Sequence, residues 1–260
     1  MPNLNLQGRK AVVIGGTSGL GRAIAIGLAE AGADVVATGR RADLVETVSA
    51  EIEKLGRRTV RFPVDVLTRK SLDELKDAVV SGLGGADVLV NAAGRMSKAP
   101  LTSVSESEWD NTQNTNVTGV VRACQAFYEP LRASGRGRII NITSLNSFVS
   151  LIGVAPYAVS KAALLGLTRS LAVEWAKSNI NVNAIAPGVF RTDLNKDLLD
   201  NTDRGRELLA RTPMGRFGRS EELVGAAMLL ASDAASFITG QCISVDGGFL
   251  ASGVNAGIPG

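Results

Sequence analysis

The feature that most constrains this chain is a rhythm. From residue 10 to residue 248, short apolar runs alternate with longer stretches of helical periodicity. The run KAVVIGG (10–16) ends in glycines. LGRAIAIGLAEAG (20–32) follows and places Leu20, Ile24, Leu28 and Ala31 on one helical face before Gly32 stops it. ADVVATG (33–39) reads as a second strand, 43–55 as a helix closed by Gly56, and RTVRFPVD (58–65) as a third strand that Pro63 pushes toward an edge. The pattern then predicts a helix over 71–82, a strand over 86–94, a long helix near 106–133, a strand over 138–144, a helix over 156–177 and a strand over 179–188. A helical insert near 192–212, a helix over 221–232 and a last strand over 241–248 complete it. Strands apolar on both faces need cover on both sides, which calls for a parallel sheet between helix layers. Right-handed crossovers make that a doubly wound, Rossmann-type α/β fold. No linker, internal repeat or low-complexity segment interrupts it, so 1–260 reads as one domain, with only the Gly- and Ala-rich tail after Gly247 expected to be loosely ordered.

Composition removes several kinds of chemistry. There is no histidine, so a Ser-His-Asp triad, an HExxH zinc site and most metal sites are excluded, and no metal is expected. The 28 basic and 25 acidic residues leave a net charge of +3, with no basic run suited to nucleic acid or a membrane surface. Cys124 and Cys242 are far apart and form no CxxC; they read as small buried apolar residues in a reducing compartment. The opening MPNLNLQGRK lacks an apolar leader, and no apolar stretch approaches the ~18 residues of a membrane span. A cytoplasmic protein is expected.

Residues 14–21, IGGTSGLG, lie where the first strand passes into the first helix. Gly15, Gly19 and Gly21 allow a tight turn and close approach of a pyrophosphate, whose charge the helix-start amides favour; Thr17, Ser18 and Leu20 complete the turn. At the end of the second strand, an NAD-binding fold usually has a carboxylate for the ribose 2′-hydroxyl, whereas arginine suits a 2′-phosphate. This chain has Gly39 at the carboxylate position, then Arg40 and Arg41. Arg40 is the candidate phosphate partner with Arg41 in support; the alternative is two solvated arginines opening a helix. The reading favours NADP(H) and leaves NAD(H) open.

Tyr157 and Lys161 are four apart on a helix and therefore share a face. A free phenol titrates near 10, too high for a base at neutral pH, but a nearby ammonium and an oxidised nicotinamide favour its ionised form. Tyr157 then accepts a proton in oxidation and donates one in reduction. Ser144 closes a parallel strand at the edge where doubly wound sheets bind ligands, and its hydroxyl suits a substrate oxygen. Asn116 sits within a helix that disfavours it, which invites a functional reason. Asn91, Ala92 and Gly94 end one strand in the same direction, and Pro187 and Gly188 end another.

Together these motifs, from the glycine turn to Asp246-Gly247-Gly248, resemble the short-chain dehydrogenase/reductase family over nearly the whole chain. The spacing G-x-x-x-G-x-G is similar to that family's TGxxxGxG, with Ile14 in the threonine position. NADP-using members often carry a basic residue before the second glycine, where this chain has Ser18. The resemblance implies a catalytic tetrad of Asn116, Ser144, Tyr157 and Lys161. Lys161 would also bond the nicotinamide ribose, and Asn116 would hold a water that relays protons. It further implies adenine contacts from Asp65 and Val66, and a nicotinamide wall from Pro187, Gly188, Val189 and Thr192. The family's NNAG is NAAG here, so Ala92 replaces an asparagine that braces central strands.

Residues 188–219 form the expected substrate lid, polar at its start with Arg191, Asn195 and Lys196. Arg95 and Lys98 follow the NAAG turn. With Ser144, Asn146 and Tyr157, Arg95 and Arg191 are the candidate substrate contacts, unless these charges are simply solvated. The C-terminal run is most like the gluconate 5-dehydrogenase branch, which implies a sugar acid or polyol. A 3-oxoacyl-carrier-protein reductase is the alternative, and a catalytically silent dinucleotide-binding scaffold is the reading from another class. The resemblance also implies a homotetramer. Val117, Val120, Val121, Ala123 and Cys124 on one helix, Ala162, Leu165, Leu167, Leu171 and Ala172 on the next, and Ile243 and Val245 on the last strand are the expected contacts.

Overall fold

The computed structural model describes residues 4–192 and 196–253. Six parallel strands form one sheet: β1 (Lys10–Ile14), β2 (Asp34–Thr38), β3 (Val88–Asn91), β4 (Gly137–Ile142), β5 (Ile180–Pro187) and β6 (Cys242–Val245), in the order β2-β1-β3-β4-β5-β6. Alternation along β1 separates the two cores. Ala11 and Val13 face a layer built on α1 (Gly19–Glu30), α2 (Ala42–Lys54) and α9 (Val224–Ala231), where Ile24, Leu28, Ile52 and Leu230 are fully buried. Val12 and Ile14 face α3 (Arg69–Leu83), α5 (Gly119–Ala133) and α6 (Ala155–Glu174), where Leu72, Leu75, Phe127 and Leu164 pack. The sheet is thus covered on both faces, as its apolar strands require.

Because all strands are parallel, the loops leaving their C-terminal ends gather at one rim. After β1 and β2 the chain crosses back to β3 on the other side of β1. That reversal opens a crevice above β1 and β3, held by the pairing of Ile14 with Asn91.

Three expectations change. Segment 58–65 is extended along β2 but is not a regular strand. It is tied at its two ends, by Val35 N to Arg58 O at 3.1 Å and Val64 N to Gly39 O at 3.0 Å. Between them side chains replace ladder bonds: Asp34 Oδ1 accepts from Arg58 N at 2.9 Å, and Thr38 Oγ1 donates to Phe62 O. Pro63 has no amide to offer. The long helix near 106–133 is α4 (Glu106–Gln113) and α5 joined by a π-turn over Asn114–Thr118. The insert near 192–212 is helical as expected in its described part, with α7 (Lys196–Leu199) and α8 (Asp203–Ala210), while Asn195 lies outside the described residues. Past Gly247, the described part of the tail is anchored by Phe249, only 2% exposed; 254–260 lie outside the described residues.

Candidate active site

The glycine turn is shaped by close backbone approach. A Cβ at Gly15 (φ +84°) would lie 2.4 Å from Ala93 N, and one at Gly21 would lie 2.1 Å from Gly15 O. The turn is therefore pressed between the end of β3 and the first turn of α1, and only glycine fits. Gly19 (φ +52°) differs: a Cβ there would meet nothing within 4 Å, so the start of α1 faces open space. Ser18 is the N-cap residue but its side chain bonds none of the first-turn amides. The positive end of a 12-residue helix thus opens into the crevice with its side-chain cap unmade, which fits a pyrophosphate. Leu20 packs inward from this turn against the core.

The adjacent surface suits a phosphorylated ribose. A Cβ at Gly39 would stand 2.9 Å from Oγ1 of buried Thr17, so the acidic position is closed to a carboxylate unless Thr17 moves. Arg40 is exposed and has no carboxylate partner among the described residues. Arg41 reaches over the glycine turn, its Nη2 3.4 Å from Ser18 Oγ. On the other side of the crevice, Asp65 Oδ1 accepts from Leu67 N at 3.0 Å, and Val66 joins Ile14, Ala93 and Val120 in lining a narrow apolar slot.

The candidate proton-transfer groups converge beyond the end of β4. Ser144 follows β4 and caps a short turn, Leu145–Ser147, accepting from Asn146 N at 3.2 Å. Tyr157 lies in the first turn of α6, which Pro156 opens. One turn on, Lys161 is 4% exposed, and its Nζ donates to Ile142 O at 2.8 Å and stands 5.6 Å from the centre of the Tyr157 ring. Burial pulls the Lys161 ammonium down to about 8. Burial pushes the Tyr157 phenol up, and its hydrogen bond with Ser144 pulls it back.

Asn116 is completely buried inside the π-turn, whose extra residue swings its side chain toward the site. Its Oδ1 accepts from Arg95 N at 2.8 Å, and its Nδ2 donates to Arg95 O and to Ser160 Oγ, each at 2.9 Å. A Cβ built on Gly94 would make ordinary contacts, 3.5 Å from Asn116 Oδ1 and 3.6 Å from Lys161 Nζ, so the backbone here runs beside both side chains.

Two residues beyond the sequence reading complete the framework. Ser160 donates to Tyr157 O at 2.7 Å, and Gln113 Nε2 donates to Pro156 O at 2.9 Å. Both tie the first turn of α6 to the Asn116 helix. Ser160 was findable, since it lies between Tyr157 and Lys161 in the motif; Gln113 carries no local signal. The bracing that Ala92 cannot give comes from Asn91, whose Nδ2 donates to Asn141 Oδ1 at 2.9 Å, while Asn141 Nδ2 donates to Thr168 Oγ1 at 2.9 Å. This buried chain links β3, β4 and α6.

The residues expected on the nicotinamide side, Pro187, Gly188, Val189 and Thr192, lie at and just beyond the end of β5. A Cβ at Gly188 would fall 2.6 Å from Asp246 Cα, because the end of β5 runs against the Asp246-Gly247-Gly248 turn. Val189 packs with Leu145, Leu199 and Leu208, which seats the segment from Val189 to Leu208 beside Ser144. Thr192 lies in the segment expected to be the lid, and Lys196 N bonds its carbonyl at 3.0 Å.

The candidate substrate contacts divide. Asn146 is 7% exposed, and its carboxamide has no hydrogen-bond partner among the described residues. Arg95 and Arg191 are already engaged. Arg95 Nη2 pairs with both oxygens of Glu108 at 2.9 and 2.8 Å, and Arg191 Nε with both oxygens of Asp200 at 2.9 and 3.1 Å. The carboxylates lie on α4 and beside α7, brought close only by the fold.

Several residues expected at subunit contacts are consumed inside the subunit: Val120, Ala123, Cys124 and Ala172 are 4%, 1%, 1% and 3% exposed. They fill the layer between α5, α6 and the sheet. Burial also pushes the Cys124 thiol up to about 12, so it is an inert core residue. Among the described residues, no group of three or more Cys, Asp and Glu side chains is placed to hold a metal, and no helix is long and apolar enough to cross a membrane.

Comparison with known proteins agrees with this geometry. The family model described as enoyl-(acyl carrier protein) reductase matches residues 15–250. The gluconate 5-dehydrogenase of Gluconobacter oxydans is 37% identical over 95% of this chain and 97% of its own length. The 2-dehydro-3-deoxy-D-gluconate 5-dehydrogenase of Dickeya dadantii is 41% identical over 95% of this chain and 97% of its own. The crystal structure of a gluconate 5-dehydrogenase from Burkholderia cenocepacia, in complex with NADP and tartrate, superposes with a TM-score of 0.92 at 36% identity, covering 96% of this chain and 98% of that one.

Proposed function

The chain belongs to the short-chain dehydrogenase/reductase family and is an oxidoreductase acting on CH–OH and its ketone; from that premise we propose that its substrate is a sugar acid and that Tyr157 is its acid/base. The observation that carries the chemistry is the convergence of Ser144, Tyr157 and Lys161, with the Ser144 hydroxyl drawing the phenol's titration down and the buried ammonium 5.6 Å from the ring.

The dinucleotide site fits NADP(H), through the open start of α1 and the unpaired Arg40. The bound cofactor supplies hydride exchange and, when oxidised, a positive ring charge beside the phenol. Ser144 holds the substrate oxygen against the Tyr157 hydroxyl. In oxidation Tyr157 accepts the hydroxyl proton; in reduction it returns it. Lys161 holds the ionised phenol within reach of neutral pH, since a cation opposes the upward push of burial. Asn116, fixed by three hydrogen bonds, keeps the π-turn and the 95 loop in place beside Lys161. Asn146 offers an unpaired carboxamide to a substrate hydroxyl.

The sugar-acid reading rests on the names of the similar proteins, gluconate 5-dehydrogenase and 2-dehydro-3-deoxy-D-gluconate 5-dehydrogenase. We take 1–260 as one dinucleotide-binding and catalytic domain with 188–219 as its lid, working in the cytoplasm as a homotetramer. Supporting assembly, α6 turns Val159 and Val173 outward, 48% and 82% exposed, and β6 is an edge strand with Ile243 and Val245 only partly covered. A cofactor-coupled screen of gluconate, 5-ketogluconate, glucitol and a 3-oxoacyl thioester tests the substrate. The highest kcat/KM is expected for a sugar acid; faster turnover of the thioester would replace that reading.

A further inference from the structure

A sugar acid brings a carboxylate into the cleft, and the two arginines that the sequence offers for it are neutralised. Arg95 is held by Glu108 and Arg191 by Asp200. A carboxylate arriving at either would have to displace an existing one. The charge of the substrate must therefore be met elsewhere on the loop after β3 or on the lid.

Two cations there have neither an acidic partner nor an aromatic ring among the described residues: Lys98, three residues past Arg95, and Arg204, in the first turn of α8. They come from different segments, the loop after β3 and α8, yet both segments are anchored to the same turn. Ala99 N donates to Gly153 O at 3.0 Å, and Arg204 Nη1 reaches Ile152 O at 3.3 Å. That turn leads directly into α6, four residues before Tyr157. The other cations on the described part of α8 and its end are occupied: Arg206 pairs with Asp203, and Arg211 lies 5.1 Å above the Phe249 ring. The placement of α8 is set by packing rather than by charge, because Leu199 and Leu208 seat the lid on Leu145, next to Ser144.

We propose that Lys98 and Arg204 form a two-sided carboxylate clamp, one cation from the β3 loop and one from the lid, that binds the acid end of the substrate while its carbinol carbon lies at Ser144 and Tyr157. This deepens the sugar-acid reading above and rests on it. Like charges brought together without an intervening anion are an unfavourable arrangement that a carboxylate relieves. In keeping with this, part burial and then the Arg204 charge hold the Lys98 ammonium below the ordinary lysine range. The chemical class recognised is a monocarboxylate at the end of a hydroxylated chain. A neutral polyol of the same length leaves both cations unmet.

The test uses the full-length enzyme, NADP(H) and whichever of gluconate, 5-ketogluconate and 2-dehydro-3-deoxygluconate the wild type turns over best. In Lys98→Gln and Arg204→Gln, KM for that acid rises by about 10- to 100-fold, the range for losing a hydrogen bond to a charged group, while kcat changes far less. Arg204→Lys recovers most of the loss, which a merely structural role for the guanidinium would not allow. The ratio of kcat/KM for the acid over glucitol falls in both glutamine variants. Wild-type turnover of the acid with KM unmoved in both variants overturns the clamp and leaves the sugar-acid reading standing. Absence of turnover of all three acids by the wild type overturns that reading, and the clamp with it.

Discussion

Replacing Lys161 by Met removes a buried charge and keeps an unbranched side chain of similar length. The Nζ lies 5.6 Å from the centre of the Tyr157 ring; with an effective dielectric of roughly 20, a unit charge at that distance acts on the ionised phenol by about 3 kcal/mol, or about two pKa units. Oxidation requires the ionised phenol, so kcat rises with pH through the phenol's apparent pKa. Removing the cation raises that pKa, and the rising limb moves to higher pH by about two units. At a pH below both limbs, turnover falls by roughly 100-fold and recovers as the pH is raised. The assay is the pH profile of kcat for oxidation at saturating cofactor, with cofactor affinity measured separately because the same ammonium is expected to bond the ribose. An unshifted limb with uniformly lower kcat would show that Lys161 acts by positioning alone, and the electrostatic account of Tyr157 would be wrong.

Four further outcomes follow from the same geometry. Lys161 titrates at about 8 in the folded chain and near 10.4 when unfolded, so between these values the unfolded state binds more protons and folding gains stability as pH rises; wild-type Tm relative to Lys161→Met should increase from pH 8 toward 10, and a decrease would contradict the burial of this charge. Tyr157→Phe should lower turnover by ~10²–10⁴ with NADP(H) binding retained, and near-normal turnover would remove Tyr157 from the chemistry. Arg40→Asp should weaken NADPH binding and improve the relative use of NADH; unchanged relative affinities would mean that Arg40 is only solvated. Light scattering at micromolar concentration should give four copies of the 27.0 kDa chain, whereas a mass near one chain would reject assembly and a dimer would leave one interface standing.

Much of the fold was legible because the strands are buried on both faces. Apolar runs such as KAVVIGG and RIINITS have no solvent-facing register, so a two-sided parallel sheet is the arrangement that satisfies them. Segment 58–65 was misread for a related reason. Its composition is that of a strand, but whether it makes a ladder depends on Thr38 and Asp34 competing for its backbone groups, which composition does not register. The apolar faces of α5 and α6 were over-assigned to subunit contacts because periodicity marks a residue as buried without saying what covers it; Ala123 and Cys124 are covered by their own sheet.

The sequence by itself determined the chemistry. The glycine spacing, the Tyr157–Lys161 interval and the strand-end positions of Ser144 and Gly188 are local, and a helix or a strand end converts such spacings directly into shared faces and a shared rim. The tertiary structure alone decided which charged side chains near the candidate site are already paired. Whether an arginine is free or neutralised depends on a carboxylate carried by another element, as with Arg95 and Glu108 on α4, and whether two cations act on each other depends on how α8 docks, as with Arg204 and Lys98. Charge acts through space and is not periodic in sequence, so the cations available to a substrate could be read only after the chain had folded around them.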